Sequence, residues 1–267
     1  MERLLHVASS SDEERSSLRV TDVFDKHSHI RTLSLPKIVI DIYCGDMSLA
    51  KYYLRKYNQC IAICIDIKPE EEALRTVPAH LHTRIHYVQM NVRHLTIQDL
   101  EIAVRRASPG STMQDVYHVH ASPDCTTMST AENRRDRNAY RLPDGRPNPN
   151  ADEYRKKRVR EHDDAMNQVL MVLTATCHRF PHMLITAENP HGAFCMQPQV
   201  KKMIATDNFR LLSTHYCAAA DPQLDGGKLW TMKSTHILIH GGRSDLELPK
   251  CRISNDVPTH SFDETCM

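Results

Sequence analysis

The sequence predicts an α/β protein built on a mostly parallel, doubly wound sheet. Short apolar runs rich in β-branched residues recur along the chain, as expected for strands that are buried on both faces. Segments with the spacing of amphipathic helices separate several of these runs. The chain has 267 residues, of which 40% are hydrophobic and 25% are charged. This length and composition suit one substantial soluble domain.

The predicted elements alternate along the chain. Parallel strands are expected at residues 37–43, 60–65, 85–90, 116–121 and 183–187. Helices are expected from Leu49 onward, at 97–106 and at 164–177. Two later segments, 209–217 and 228–240, are expected to close the sheet as a β-rich pair. We place the domain at 37–245, after a polar leader at 1–36 and before a tail at 246–267.

Composition excludes several classes of protein. The formal net charge is only +1, so a nucleic-acid-binding surface must be local. The nine cysteines are scattered without a C-x-x-C pair, and the N-terminus lacks a signal-like apolar run. We therefore expect an intracellular protein, nuclear in a eukaryote and otherwise cytoplasmic. No stretch approaches the roughly 20 apolar residues that span a bilayer, so no membrane partner is expected. The tail's cysteines and histidine match no usual zinc spacing, and no metal is predicted.

A glycine turn follows the first predicted strand. Gly45 would let the backbone approach a ligand, and the helix after it offers unpaired N–H groups. Asp66, which ends the second strand about 20 residues later, is spaced to accept hydrogen bonds from a ribose. The full G-x-G-x-x-G pattern is absent. A turn that binds nothing, and an aspartate that only caps its own turn, remain open as alternatives.

A cysteine follows the fourth predicted strand, in the segment Ser122-Pro123-Asp124-Cys125. A thiol at the carboxyl end of a strand lies where an open α/β sheet places its chemistry. The fifth strand ends in Glu188-Asn189-Pro190, which brings a carboxyl group to the neighbouring strand end. Taken singly, the cysteine suits a small core residue and the second segment suits a plain strand-to-turn junction. Their combination favours a catalytic pair.

Residues 130–165 are the most basic part of the chain, around a loop rich in proline and asparagine at 143–150. We interpret this excursion as an arm that contacts nucleic-acid phosphates beside the cysteine loop. A solvated surface segment is the alternative. The candidate phosphate contacts are Arg134, Arg135, Arg155, Lys156, Lys157 and Arg158.

Taken in order, these motifs resemble the cytosine-C5 DNA methyltransferases, in particular small phage-type members without a large target-recognition domain. The segment at 41–45 resembles the Asp-Leu-Phe-x-Gly motif that cradles S-adenosylmethionine. The segment at 122–129 resembles the Pro-Pro-Cys-x-x-Phe-Ser nucleophile loop, and 188–190 resembles the Glu-Asn-Val motif. Tyr216-Cys217 with 228–231 resembles the late Tyr-Cys…Lys-Pro-Thr-x-x-Trp-Thr segment of the small enzymes. The resemblance spans about residues 37–240.

The resemblance implies a Rossmann-like methyltransferase fold, S-adenosylmethionine as cofactor and DNA as partner. It implies that Cys125 adds to a flipped-out cytosine, that Glu188 activates the ring, and that Asn189 orients the glutamate or its loop. Lys228 is a further implied nucleic-acid contact. The implied cofactor-binding residues are Asp41, Tyr43, Gly45, Asp66, Asn91 and Pro123.

The chain departs from the family pattern at three points. Asp124 precedes the nucleophile where the family has proline, and a carboxylate beside a thiol disfavours the thiolate. Met47-Ser48 stands where the family usually has Gly-Gly. No large target-recognition domain follows, so specificity is expected to be low, or to come from the basic segment or a protein partner. We expect a monomer.

Three other functions stay open at this point. RNA can replace DNA as the substrate, because base flipping and a thiol nucleophile serve both polymers. A methyltransferase-like protein that binds nucleic acid or cofactor without catalysis is the second. A nicotinamide-dependent Rossmann enzyme fits less well, because the glycine fingerprint is missing.

Overall fold

A computed structural model describes residues 37–128, 140–190, 192–215 and 234–241 of the chain. The predicted leader and tail lie outside the described residues. So do three of the candidate nucleic-acid contacts, Arg134, Arg135 and Lys228, and the late motif at 216–217 and 228–231.

Within the described ranges, seven strands form one sheet with the order β3-β2-β1-β4-β5-β7-β6. Strands β1 to β5 pair in parallel, and β7 runs antiparallel between β5 and β6. The predicted mostly parallel sheet is therefore confirmed. The strands are β1 (Ile38–Ile42), β2 (Ile61–Asp66), β3 (Ile85–Gln89), β4 (Val116–Ala121), β5 (Leu184–Pro190), β6 (Arg210–His215) and β7 (Ser234–His240).

Helices cover both faces of this sheet, which confirms the doubly wound arrangement. Tyr53 and Leu54 of the first helix are buried in a core on one face. The third and fourth helices contribute residues such as Leu100 and Leu173 to the core on the other face. Since both faces are covered, all five residues of β1 are buried, and this explains why every residue of the strand except Asp41 is apolar and β-branched. The helices are α1 (Ser48–Lys56), α2 (Glu70–Leu74), α3 (Ile97–Ala107), α4 (Glu153–Arg179) and α5 (Pro198–Thr206).

The strand order reverses between β1 and β4. Strands β2 and β3 extend the sheet on one side of this pair, and β5 extends it on the other. In open α/β sheets, ligands bind in the crevice outside the carboxyl ends of the strands at such a switch point. The glycine turn after β1 and the cysteine loop after β4 therefore flank the same crevice.

Two predicted boundaries were wrong. Helix α4 begins at Glu153, so the part of the basic excursion from 153 to 165 is helical and packs on the core through Val159 and His162. Asp152 caps this helix by accepting a hydrogen bond from the Arg155 N–H at 2.7 Å. Strand β5 continues through Pro190 because β7 pairs with it as far as Pro190 and Thr235.

Within the described ranges, no helix combines the length and the apolar composition needed to cross a membrane.

Candidate active site

The turn after β1 is tied to the end of β2. The N–H of Gly45 donates to Asp66 Oδ2 at 3.0 Å, and the N–H of Lys68 donates to Oδ1 at 3.1 Å. Asp66 therefore caps its own turn and also holds the glycine turn. Each of its oxygens has a second acceptor lone pair, so ribose binding remains compatible with these bonds.

The glycine turn is wound in the left-handed region, with φ values of 58° at Tyr43, 50° at Gly45 and 58° at Met47. A Cβ added at Gly45 would have only the Tyr43 carbonyl oxygen within 4 Å, at 3.9 Å. The Cα of Gly45 thus borders open space rather than packed protein. Such a backbone surface suits the close approach of a ligand.

Asp41 lies beneath this turn and is 3% exposed. Burial raises the pKa of its carboxyl group from 3.8 to about 7; a hydrogen bond from the backbone of Ala50 lowers it, and the charges of Asp46 and Asp66 raise it further. Through the Ala50 contact, Asp41 ties the end of β1 to helix α1. Asp41 therefore supports the predicted cofactor turn from below.

Tyr43 and Asn91 occupy other parts of the crevice edge. The Tyr43 hydroxyl is buried and has no hydrogen-bond partner among the described residues. Burial raises its pKa above the ordinary value, and the charge of Asp124 adds to this while that of Arg93 opposes it. Asn91 follows β3, where its side-chain oxygen accepts the Arg93 N–H at 3.1 Å and caps a short 3₁₀ turn.

The cysteine loop is joined to both neighbouring strands. The Ser122 N–H donates to the Ile42 carbonyl at 3.1 Å, which continues the pairing of β1 and β4 beyond their ends. The Ser122 hydroxyl donates to Glu188 Oε2 at 2.8 Å. The Asn189 side chain donates to the Pro123 carbonyl at 3.0 Å. The structure therefore brings both Glu188 and Asn189 to the loop that carries Cys125.

The two oxygens of Glu188 have different surroundings. Oε2 is held by Ser122, whereas Oε1 is buried without a hydrogen-bond partner among the described residues. Leaving a buried carboxyl oxygen unpaired is unfavourable, and such groups are retained at functional sites. Cys125, on the same loop, is half-buried and is not in a disulfide.

Asp124, which precedes Cys125, is held by hydrogen bonds and an ion pair. Its Oδ1 accepts the N–H and the hydroxyl of Thr126 at 2.9 and 2.5 Å, and its Oδ2 lies 3.5 Å from Arg158 Nη2. Burial raises the pKa of Asp124, but the Thr126 bonds and the charges of His162 and Arg158 outweigh it, so the net pKa is lowered. The charge that the sequence places beside Cys125 is thus partly offset by local partners.

Helix α4 holds the far end of the loop. The Thr127 hydroxyl lies 2.6 Å from His162 Nδ1. Arg141, 2% exposed, donates to the carbonyls of Thr127 at 3.0 Å and Gly145 at 3.1 Å and pairs with Asp163 on α4. The role of Arg141 was not predicted from the sequence, because residue type alone does not distinguish a buried arginine from the solvent-exposed ones around it.

Each predicted basic contact on α4 has an acidic neighbour. The pairs and their N–O distances are Arg155–Asp152 at 2.6 Å, Lys156–Glu153 at 3.0 Å, Lys157–Glu161 at 3.9 Å and Arg158–Asp124 at 3.5 Å. The start of α4 is therefore close to charge balance, and nucleic-acid contact through it remains a prediction. Within the part of the chain that the structure describes, no cluster of three or more His, Cys, Asp or Glu side chains is arranged to hold a metal.

No protein-family model matches the sequence, and no curated protein matches it either. Among solved structures, the chain is similar to the Dnmt2 methyltransferase of S. pombe, at 14% identity and a TM-score of 0.42 over 79% of this chain and 52% of that one. It is also similar to the plantazolicin methyltransferase BpumL in complex with SAH, at 10% identity and a TM-score of 0.41 over 85% of each chain. A third is the methyltransferase domain of delta-N METTL16, at 10% identity and a TM-score of 0.42 over 84% and 81% of the two chains.

The chain spans about half the length of the Dnmt2 structure. Identities this low bear on the fold alone, so a functional assignment rests on the site itself.

The pKa of Asp41 is raised and that of His120 is lowered, so the two groups change the free energy of unfolding with pH in opposite directions. Between about pH 4 and 7 the folded protein keeps a proton on Asp41 that the unfolded chain releases, so this group lowers the free energy of unfolding as pH rises. Burial lowers the pKa of His120 from 6.5 to about 4, so His120 gives the opposite slope between about pH 4 and 6.5.

Asp41→Asn should leave the His120 slope unopposed. Urea denaturation should then show stability rising toward about pH 6.5, and a gain over wild type above pH 7 of at most roughly 4 kcal/mol at about 1.4 kcal/mol per pKa unit. If the unfolding free energies of the two proteins changed with pH in parallel, the pKa of Asp41 would not be raised by burial.

Arg141 predicts a large difference between two neighbouring arginines. Arg141→Met should cost about 2–4 kcal/mol of unfolding free energy, because two carbonyls and Asp163 lose a buried partner. Arg146→Met is the matched control, since its pair with Asp144 has a 74% exposed arginine side chain and should contribute less than about 1 kcal/mol. Similar urea midpoints for both variants would show that Arg141 does not hold the loop.

Proposed function

We propose that this protein is an S-adenosylmethionine-dependent methyltransferase that acts on C5 of cytosine in DNA. The observation that carries the proposal is the Ser122–Glu188 hydrogen bond, which fixes a carboxyl group beside the Cys125 loop at the switch point. A thiol and a carboxyl group at one crevice supply the two activities that cytosine C5 requires, a nucleophile and a ring activator.

The crevice residues fit S-adenosylmethionine. The turn at Gly45 offers an open backbone surface, and Asp66 at the end of β2 retains acceptor capacity for ribose hydroxyls. Asn91 at the end of β3 lies one strand further along the same edge, where the adenine is expected. When bound, S-adenosylmethionine supplies an electrophilic methyl group.

The chain's own residues then activate the base. The Cys125 thiolate adds to C6 of the cytosine, forming a C–S bond and shifting electron density to C5. Glu188, held through Oε2, can in its carboxylic acid form donate a hydrogen bond from its other oxygen to N3 of the ring and so stabilise the adduct. After methylation, water accepts the C5 proton, the C6–S bond breaks with its electron pair returning to the Cys125 thiolate, and the C5–C6 double bond is restored. Asn189 keeps the loop in place through the Pro123 carbonyl.

The target base must leave the helical stack to reach this crevice. Arg134, Arg135, Lys228 and the basic residues of α4 are the proposed phosphate contacts. We propose that a protein partner adds target specificity. The alternatives of RNA methylation and of binding without catalysis are separated by the experiments below.

The open surface at Gly45 predicts a selective loss of cofactor binding. Gly45→Ala should weaken S-adenosylmethionine binding at least tenfold by calorimetry, because the added methyl group enters the crevice. The positive φ should cost stability by about 1–2 kcal/mol. Gly110→Ala is the control: its φ is +89° with no heavy atom within 4 Å of the added Cβ, and it precedes β4 at the opposite edge. If Gly45→Ala binds S-adenosylmethionine with unchanged affinity, the cofactor does not bind at this turn.

The covalent mechanism predicts that Cys125→Ala abolishes methyl transfer and leaves cofactor affinity unchanged. Transfer from labelled S-adenosylmethionine would be measured on DNA and on RNA, with Cys195→Ala as a control because Cys195 is also half-buried but lies after β5. DNA containing 5-fluorocytosine should form a covalent complex with wild type, because fluorine cannot leave C5 as a proton does.

Transfer that persists in Cys125→Ala would refute the cysteine mechanism. Transfer to RNA alone would reassign the polymer, and cofactor binding without transfer to either polymer would favour a binding protein.

A further inference from the structure

A series of hydrogen-bonded polar side chains runs from helix α1 to β4, across to β5 and back to β4. The Tyr53 hydroxyl lies 3.1 Å from His118 Nδ1, and His118 Nε2 lies 2.7 Å from the Thr186 hydroxyl. The same hydroxyl lies 2.7 Å from His120 Nδ1. Tyr53, His118 and Thr186 are each at most 1% exposed, whereas His120 is partly exposed. The series therefore begins in the core and ends at the side chain nearest the solvent.

The available donors and acceptors determine the direction of these hydrogen bonds. Burial among hydroxyl partners favours neutral imidazoles, so each histidine has one N–H. If Tyr53 donates to His118, then His118 donates to Thr186 and Thr186 donates to His120 Nδ1. In the reverse direction the buried Tyr53 hydrogen would have no acceptor among the described residues. The favoured arrangement leaves the hydrogen of His120 on Nε2, so this atom is a donor.

His120 lies at the switch point of the sheet. It pairs in register with Asp41 of β1 on one side and with Thr186 of β5 on the other. Ser122, two residues later, lies on the same face of the sheet, and its hydroxyl donates a hydrogen bond to Glu188. His120 is the last residue but one of β4 and is partly exposed, so its remaining donor is accessible near the carboxyl end of that strand, where the crevice lies.

The strand order gives the orientation of a bound cofactor. Asp66, the proposed ribose partner, ends β2, and the glycine turn follows β1. The part of the cofactor beyond the ribose therefore extends toward β4. Two strand spacings separate β2 from β4, or roughly 10 Å. This distance is comparable with the reach from the ribose hydroxyls to the methionyl carboxylate.

We propose that His120 is a cofactor-binding residue whose Nε2–H donates to the carboxylate of the methionine moiety. Thr186 and His118 are positioning residues that fix its tautomer and ring orientation. This inference rests on the proposed function, because it assigns a contact to the same cofactor. The lowered pKa of His120 agrees with a neutral donor at physiological pH.

The test compares two ligands that differ in the methionine moiety. S-adenosylhomocysteine carries the amino-acid carboxylate, and 5′-methylthioadenosine lacks it. His120→Ala should weaken binding of the first about tenfold by calorimetry and leave the second unchanged, which also shows that the variant is folded. His80→Ala, an exposed histidine at the opposite edge of the sheet, should change neither affinity.

Thr186 supplies the readout for the positioning role. Thr186→Val should reduce S-adenosylhomocysteine affinity and convert the nitrogen-15 spectrum of His120 from the Nε2–H form to a mixture of tautomers. Thr186→Ser keeps the hydroxyl and should restore both properties. A wild-type spectrum with the hydrogen on Nδ1 would overturn the inference.

The outcomes separate this inference from the proposed function. If His120→Ala weakens the binding of both ligands equally, or of neither, the carboxylate contact is overturned. Cofactor binding by the wild-type protein would still support the proposed function. Wild-type protein that binds neither ligand overturns the proposed function and this contact with it.

Discussion

The parallel pairing of β1 with β4 is the constraint on which the rest of the site depends. It makes the strand order reverse at this point, and it continues past the strands through the Ser122 N–H and the Ile42 carbonyl. A turn that suits a cofactor and a loop that carries a thiol therefore emerge side by side. Had β4 paired elsewhere in the sheet, Gly45 and Cys125 would follow strands that are not neighbours and would not flank one crevice. The chemistry of the site is thus a consequence of topology before it is a consequence of any side chain.

Buried polar groups, rather than apolar packing, then hold the site in shape. Ser122 holds Glu188, Asn189 holds the Pro123 carbonyl, and Arg141 holds the Thr127 carbonyl. Each bond joins segments far apart in sequence, and a slip of any segment would leave a buried polar atom unpaired at about 1–3 kcal/mol. Apolar contacts tolerate small shifts, whereas these bonds do not. The arrangement favours one geometry of the cysteine loop, as a reaction between precisely placed atoms requires.

The sequence predicted the strands well where burial on both faces made them rich in apolar residues, as in β1 and β4. It also predicted that the Cys125 loop and Glu188 would lie at the ends of neighbouring parallel strands, because such strands end at one edge. It missed the true start of α4, since its charged first turns resemble a loop until Asp152 caps them. It could not show that Thr186 contacts His120, because that contact depends on the register of two strands whose residues are 66 positions apart.

The charge distribution of α4 bears on the proposal that this protein, with a net charge of +1, binds a nucleic acid. The four basic residues proposed as contacts are paired with acids, yet these pairs are largely solvent-exposed, with side-chain exposures of 71% and 40% for Lys157 and Glu161. Exposed pairs contribute only about 0–1 kcal/mol, so exchanging a carboxylate for a phosphate has a small cost. Arg141 is buried in its ion pair with Asp163, so it cannot exchange this carboxylate for a phosphate at a similarly small cost. The same helix can therefore offer exchangeable cations on its outer face while its inner face holds the cysteine loop.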